Sequence, residues 1–456
     1  MANRLFRVFH NCLALFVLAW MSSGVIGYVL PMIPNYVRYF LFAIWFLLAA
    51  SSEEHFLVHY LKGAWPLLVF VGYVRTLSIF TTDSYLDSLG AVFTYLGIVY
   101  ALFIYYFEPK QRTFRLVMVG FLALETLFVA INTYISLNLD PMISRYLAQG
   151  IDAAREQSSL GRFEGIGGYG FFYGLVSIIL FLLYVSLNGG SHKLVWLIAV
   201  FGLTAVLIKA SFTISIIFTL GFAIVLLLRR VTKGAGFAFL VIYVALFAVS
   251  AKDFVALGLG NLSRTGGMSD AVGTRLQELS GFLLQGAQQG TDLEFRLAFY
   301  ASSVDAFLQN WVGGLVQSPT LGSTVGGHSA WLDLLGYFGL SSLLLVYFLI
   351  KVYKYTGARI PDSFKGYYRV YWLYFSLLGF VNTLSLSGMF TVWFLFLPMA
   401  IVTVDEYQDR SQVGGAGFQT PSPRSRVWLD GSSWGLLRAG RRSRQNASTN
   451  DPSRRP

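Results

Sequence analysis

Leu175-Val-Ser-Ile-Ile-Leu-Phe-Leu-Leu-Tyr-Val-Ser-Leu187 decides the fold class, because it is apolar throughout and carries no charge. A half-buried strand would alternate apolar and polar residues with period two. This run does not, and neither does Ile214-Ser-Ile-Ile-Phe-Thr-Leu-Gly-Phe-Ala-Ile-Val-Leu-Leu-Leu228. In lipid the backbone must satisfy itself, which leaves helices or closed barrels, and the missing alternation selects helices. The composition agrees. Of 456 residues, 55% are hydrophobic and only 12% charged. A soluble domain carries about 25% charged residues, so most of this surface must face lipid. The mean hydropathy of +0.59 points the same way. The single cysteine, Cys12, excludes an internal disulfide. The first apolar run lacks a small-residue cleavage site and is expected to be a retained span rather than a signal peptide.

The expected fold class is all-α, a polytopic integral membrane protein with about twelve transmembrane helices. The spans fall at about 12–33, 36–52, 65–81, 85–107, 116–137, 167–187, 194–209, 211–228, 235–251, 329–351, 369–387 and 389–404. Lysine and arginine collect in cytoplasmic loops. Arg4 and Arg7, then Lys110, Arg112 and Arg115, then Lys193, then Arg229, Arg230 and Lys233, then Lys351, Lys354, Arg359 and Lys365 all fall on one side of a twelve-span chain. Residues 1–251 would hold spans one to nine, with a first outer loop at about 138–166. Residues 252–328 would form a large outer loop, and 329–404 the last three spans. Residues 405–456, rich in Ser, Gly, Pro and Arg, read as a disordered basic cytoplasmic tail.

The outer loops carry more positive charge than the usual rule gives them. Arg145, Arg155 and Arg162 lie in the first, and Arg264, Arg275 and Arg296 in the second. Leu297, Tyr300, Val304, Phe307, Leu308 and Trp311 repeat at helical spacing, so an amphipathic helix is expected within the large loop, suited to the membrane interface. Arg75 and Glu125 are ionisable residues within spans, where such groups default to function, with a structural ion pair as the alternative. His55 and His59 share a helix face, but Phe56 follows the first, so this is not a metal-binding His-Glu-x-x-His. There is no Cys/His cluster of zinc spacing, no aspartate pair placed for a nucleotide sugar and no P-loop. No metal, cofactor or nucleic-acid partner is expected.

One further stretch carries chemistry: Gly326-Gly-His-Ser-Ala-Trp-Leu-Asp-Leu-Leu-Gly-Tyr-Phe-Gly-Leu340. His328 opens an apolar helix after the longest loop. A helix N-terminus favours the neutral imidazole, which can act as a base. A histidine that merely caps the helix is the plain alternative. Upstream lies Arg296-Leu-Ala-Phe-Tyr300, then Asp305-Ala-Phe-Leu-Gln-Asn-Trp-Val-Gly-Gly314. Nine residues separate His328-Ser329 from Gly339.

This pattern resembles the Wzy-type polysaccharide polymerases and the O-antigen (WaaL-like) ligases. They share a long outer loop, an arginine opening its last helix, and a His-Asn or His-Ser leading the next span. The resemblance covers about 290–345, and 160–345 more loosely. Ser342, three residues after Gly339, suits the ligases. Arg162-Phe-Glu-Gly-Ile-Gly-Gly-Tyr-Gly170 is similar to a second family element; a flexible turn with an interfacial arginine is its alternative. At Ile208-Lys-Ala-Ser-Phe-Thr213 many members have Ser-Arg; here Phe212 follows Ser211, and Lys209 is the nearest cation.

The resemblance implies a GT-C-like membrane glycosyltransferase that works without metal at the periplasmic face of the bacterial inner membrane. Undecaprenyl-pyrophosphate-linked glycans would be donor and acceptor, and a chain-length regulator protein a possible partner. His328 would be the acceptor base. Arg296 and Arg162, with Lys209 and Arg75, would hold the pyrophosphate. Polymerase is the favoured activity and ligase, with lipid A core as acceptor, the alternative. A lipid-linked oligosaccharide flippase is a third class, disfavoured because no repeated halves are visible.

Overall fold

The computed structural model describes residues 2–22, 35–81, 84–140, 165–188, 192–210, 212–231, 252–263, 292–315, 329–382 and 387–415, with a few short pieces between them. All regular structure among these residues is helical. The helices are α1 (Ala2–Ser22), α2 (Asn35–Ser52), α3 (Phe56–Thr81), α4 (Ser84–Tyr106), α5 (Arg112–Leu139), α6 (Tyr169–Asn188), α7 (Lys193–Lys209), α8 (Thr213–Val231), α9 (Lys252–Ser263), α10 (Asp292–Gln309), α11 (Ala330–Phe338), α12 (Leu343–Arg359), α13 (Lys365–Val381), α14 (Ser387–Thr391) and α15 (Leu397–Gly415). Contacts divide the chain into Met1–Asp405 and Glu406–Pro456. Of the second unit only the end of α15 is described; the rest of the expected tail, and the span expected at 235–251, lie outside the described residues.

The opening run explains its own position. A helix apolar on all sides belongs inside, and in α6 every residue from Phe172 to Phe181 is buried. The surrounding helices are turned the other way. On α8 the inward face holds Ser215, Thr219, Phe222 and Leu226, while Ile217, Leu220, Ile224 and Leu227 stand exposed. Leu194, Ile198 and Phe201 of α7 and Leu124, Leu127 and Ile131 of α5 are also exposed. In water such contiguous apolar surface would drive association; hydrocarbon solvates it. Among the described residues, six helical segments are long and apolar enough to cross a bilayer: Phe56–Phe80, Leu89–Tyr106, Pro109–Leu139, Tyr169–Asn188, Ala330–Arg359 and Met389–Gln408. The protein is an all-α membrane protein.

Antiparallel succession sorts the helix ends into two groups. At one end Lys110 pairs with Glu53 at 3.1 Å, Arg359 approaches Glu108 at 4.0 Å, and Ser363 donates to Asp405 at 2.7 Å. Arg115, expected in a loop here, is instead buried on α5 and donates to the Phe107 carbonyl at 3.2 Å. It thereby satisfies one of the carbonyls that the end of α4 leaves open. At the other end Arg75 meets Asp87, Lys209 meets Asn138, and the Gly167 amide donates to Thr133 Oγ1 at 2.8 Å.

Two helix boundaries differ from expectation, for physical reasons. The span expected to begin at 65 begins at Phe56. Pro66 suits the first turn of a helix, which favours a start near 65. The helix nevertheless passes through Pro66. Proline cannot donate to the carbonyl four residues back, which here is Lys62. The Lys351 ammonium donates to that carbonyl at 2.6 Å. Its charge lies 5.6 Å from the Trp65 ring centroid and 5.3 Å from that of Tyr347, inside cation–π range. The second case is the span expected at 329–351, which bends. A 3-10 turn, Gly339–Ser342, separates α11 from α12. The first span, expected at 12–33, is represented by α1 at Ala2–Ser22; residues 23–34 lie outside the described ones.

The core is wired by tyrosines. Tyr367, Tyr371 and Tyr374 share one face of α13. Their buried hydroxyls donate to the carbonyls of Ser177 at 2.8 Å, Trp393 at 3.0 Å and Tyr173 at 3.0 Å. A π-helical turn, Val392–Phe396, sits between α14 and α15, and Trp393 Nε1 donates to Ser177 Oγ at 2.7 Å. These bonds tie α13 and the π turn to α6.

Removing the Lys351 donor by Lys351→Met leaves the Lys62 carbonyl without this bond, at about 1–3 kcal/mol. Pro66→Ala restores the backbone N–H, so the double variant should recover most of that loss. Thermal unfolding of the solubilised protein checks it. Strictly additive effects would contradict the assignment.

Candidate functional site

The expected site lies where α10 packs on α11. The six apolar positions expected to form one stripe of α10 divide instead. Leu297, Val304, Leu308 and Trp311 are exposed, and Tyr300 and Phe307 are half-buried. The buried side of α10 is small and polar, Ser303 and Ala306. The cause is close approach. A Cβ on Gly336 of α11 would stand 2.9 Å from the Ser303 carbonyl oxygen. Two glycines with positive φ continue the contact: Gly314 (φ 68°) against Tyr337 and Gly339 (φ 55°) against Trp311 and Val312. The Leu340 amide donates to the Trp311 carbonyl at 2.9 Å. The loop after α10 therefore crosses the end of α11 backbone to backbone. Gly339 is required by that crossing.

His328, with Gly326 and Gly327, lies outside the described residues. Its neighbour Ser329 is fully buried and caps α11, accepting from the Leu332 amide at 3.4 Å. Asp333 reciprocates, because its Oδ2 accepts from the Ser329 amide at 3.2 Å. This is a capping box with the acid one residue later than usual. Asp333 is itself buried, and its Oδ1 accepts from Ser303 Oγ of α10 at 2.7 Å. Ser329 Oγ donates to the Gly379 carbonyl at 3.3 Å, and the Ala330 amide to the Asn382 carbonyl at 3.1 Å. The start of α11 is thus pinned to α10 on one side and to the end of α13 on the other.

Arg296 is half-buried on the same side of α10 and donates to the Val381 carbonyl at 3.3 Å. It also hydrogen-bonds Tyr300, one turn further along. Burial pushes the Tyr300 phenol up, and the Arg296 charge pulls it back. Next to Val381, the Asn382 side-chain amide donates to the Tyr173 hydroxyl. Tyr173 stacks on Tyr169, whose ring meets Phe212 edge-on. Phe212, at the place where many relatives of the resembled family carry arginine, is a buried aromatic contact of α6.

The other expected cations are placed as follows. Lys209 ends α7; it donates to Asn138 Oδ1 and lies 4.2 Å from the Tyr134 ring centroid. Arg75 forms an ion pair with Asp87 and also donates to its carbonyl at 3.3 Å. Its side chain lies across Gly90, where a Cβ would come within 2.9 Å. Glu125 of α5 lies within electrostatic reach of the buried Tyr95. Arg162 lies outside the described residues. Arg296 is brought to the start of α11, whereas Lys209 and Arg75 sit on other helix ends of the same group. His55 and His59 lie at the opposite end, their ring centroids 6.2 Å apart.

Beside the α11 start is a narrow apolar cleft of about 40 Å³, with Leu89 and Phe93 of α4, Trp331 and Leu334 of α11 and Phe375 of α13 among its walls. Asp333 supplies a charged group to this lining. The arrangement puts a guanidinium, a phenol and a buried carboxylate beside an apolar cleft between membrane helices. No protein-family model matches the chain, and none of the curated proteins matches it.

Sequence reasoning missed Asp333, Ser303, Tyr300 and Asn382 as site residues. Asp333 carried one legible signal, an acid four residues after a serine at a helix start. Its bond to Ser303 spans 30 residues and follows from tertiary packing alone.

Gly339→Ala places a Cβ 2.5 Å from the Trp311 carbonyl oxygen at a φ only glycine tolerates. It should destabilise the protein by on the order of 1–3 kcal/mol or more. Gly202→Ala, with nothing within 4 Å, is the control. Equal melting temperatures for the two variants would contradict the backbone crossing.

Proposed function

We propose that this chain is a GT-C-like glycosyltransferase of the bacterial inner membrane, with twelve spans and its site on the periplasmic side. It polymerises undecaprenyl-pyrophosphate-linked oligosaccharide units. The observation that carries the reading is the joint between α10 and α11. Arg296 lies on the helix clamped to the serine that directly follows His328, through Ser303, Asp333 and Ser329. Glycosyl transfer from a pyrophosphate carrier needs a phosphate-binding group and a base close together. The exposed apolar face of α10, with Leu297, Val304 and Leu308, and the exposed Trp311 just beyond it support its lying at the membrane interface, at the depth of lipid phosphates.

The reaction follows from these parts. A hydroxyl oxygen of the acceptor sugar attacks the anomeric carbon of the donor glycan. The bond from that carbon to the pyrophosphate oxygen breaks, and undecaprenyl pyrophosphate leaves with the electron pair. His328 takes the hydroxyl proton as the new bond forms, a contribution of roughly 10²–10⁴-fold. Arginine suits the leaving group because its planar fork matches phosphate oxygens and its charge persists at any working pH. Arg296 has five N–H donors. Val381 and Tyr300 take part of this set and fix the plane of the guanidinium, so that the remaining donors are aimed in advance. Preorganised charge of this kind is the larger part of such catalysis. Arg162 supplies a second guanidinium to the same pyrophosphate. Lys209 and Arg75 stand further out, where they raise the local potential for an anionic headgroup.

In a strain lacking the chain, a plasmid copy carrying His328→Ala should leave glycan at a single repeat on a gel. Arg296→Lys keeps the charge but loses the fork, and should cut polymer at least about tenfold. Long lipid-linked chains that never reach lipid A core would identify a ligase instead. A wild-type ladder from His328→Ala would refute the assignment of the base.

A further inference from the structure

We propose that Asp333 is a positioning residue that sets the helix bearing Arg296 in register with the chain at His328. The inference rests on the glycosyltransferase reading above and adds a residue to its machinery. Asp333 is 6% exposed and divides its two carboxylate oxygens between two segments. Oδ1 accepts from Ser303 Oγ of α10 at 2.7 Å, and Oδ2 from the Ser329 amide at 3.2 Å. Ser303 stands seven residues, two helical turns, beyond Arg296, so both lie on one face of α10. Tyr300 lies between them on that face, bonded to Arg296 and sensing the charge of Asp333. Ser329 is the residue after His328. One carboxylate therefore links the face that carries Arg296 to the backbone of Ser329, the residue after His328.

The chemistry of the carboxylate separates this role from two others. A carboxylate accepts from two donors at once. Asp333→Ala removes both bonds and leaves a buried hydroxyl and a buried amide short of this acceptor. Asp333→Asn removes the charge but can keep the geometry. Its Oδ1 accepts from the Ser329 amide, its Nδ2 donates to Ser303 Oγ, and the Ser303 proton turns to the Phe299 carbonyl at 3.1 Å. A group that acts by its charge would fail as Asn. A group that acts by holding two segments together would be rescued by it. Ser303→Ala cuts the α10 side alone and leaves the cap on α11 intact.

The test uses the full chain in lipid nanodiscs, with lipid-linked glycan extracted from a strain lacking it. Misplacing reacting groups by about 1 Å costs on the order of 10²-fold. Asp333→Ala should therefore lower kcat by roughly 10–100-fold, with little change in KM, because the arginine remains available to the pyrophosphate. Ser303→Ala should show a smaller loss of the same kind, and Asp333→Asn should recover most of the rate. Each rate is taken per monodisperse protein, and Ser303→Ala decides the matter if Asp333→Ala does not fold. A wild-type kcat in Ser303→Ala or Asp333→Ala, or an Asp333→Asn as slow as Asp333→Ala, would overturn the inference. His328→Ala is run beside them. If it retains the rate, the reading of the base falls and this inference falls with it. If it is inactive while Asp333→Ala is not, only the positioning role falls.

Discussion

Hydrocarbon offers a buried polar group no water, and this one constraint organises the molecule. Several polar side chains on inward faces satisfy a backbone group. Three of the four tyrosines of α13 donate to carbonyls on α6 and the π turn. Lys351 donates to the carbonyl that Pro66 cannot serve. Arg115 takes up a carbonyl beyond the end of α4. The same rule produces the candidate site. Asp333 is buried because two donors on separate segments need it, and those segments carry Arg296 and follow His328.

Rigidity and solvation divide the labour. Aromatic contacts and hydrogen bonds concentrate on α6, α13 and the π turn, and hold the ends of α13 and α11 together. The surfaces of α5, α7 and α8 are left apolar for lipid. The exposed stripe of α10 belongs to the second kind of surface, and its buried stripe to the first. A helix so divided holds its arginine at the boundary between protein and membrane.

How much of this was legible depends on the range of the interaction. The uniform apolar run at 175–187 announced a buried helix, and α6 is one. Gly339 was legible only as part of a family pattern; its positive φ follows from the packing of Trp311 and Val312 against it. Interactions across distant segments were illegible. Nothing local says that a lysine at 351 completes a helix at 62, so α3 was expected to start nine residues late. Nothing local places Ser303 against Asp333 either. The apolar spacing in α10 was correctly read as helical, but the faces were misjudged, because Gly336 admits only small residues opposite it. Arg75 and Lys209 show the limit of counting charges: both lie at helix ends of the expected group, and each has a local partner there.

The central claim is that glycan is transferred, rather than moved, at the α10–α11 joint. The most direct measurement reconstitutes the purified full chain in sealed proteoliposomes with extracted lipid-linked repeat units, and follows glycan length and free undecaprenyl pyrophosphate together. The account predicts one undecaprenyl pyrophosphate released for each linkage formed, with neither process in His328→Ala. Translocation of the lipid-linked unit across the bilayer, with no change in glycan length and no carrier released, would contradict it.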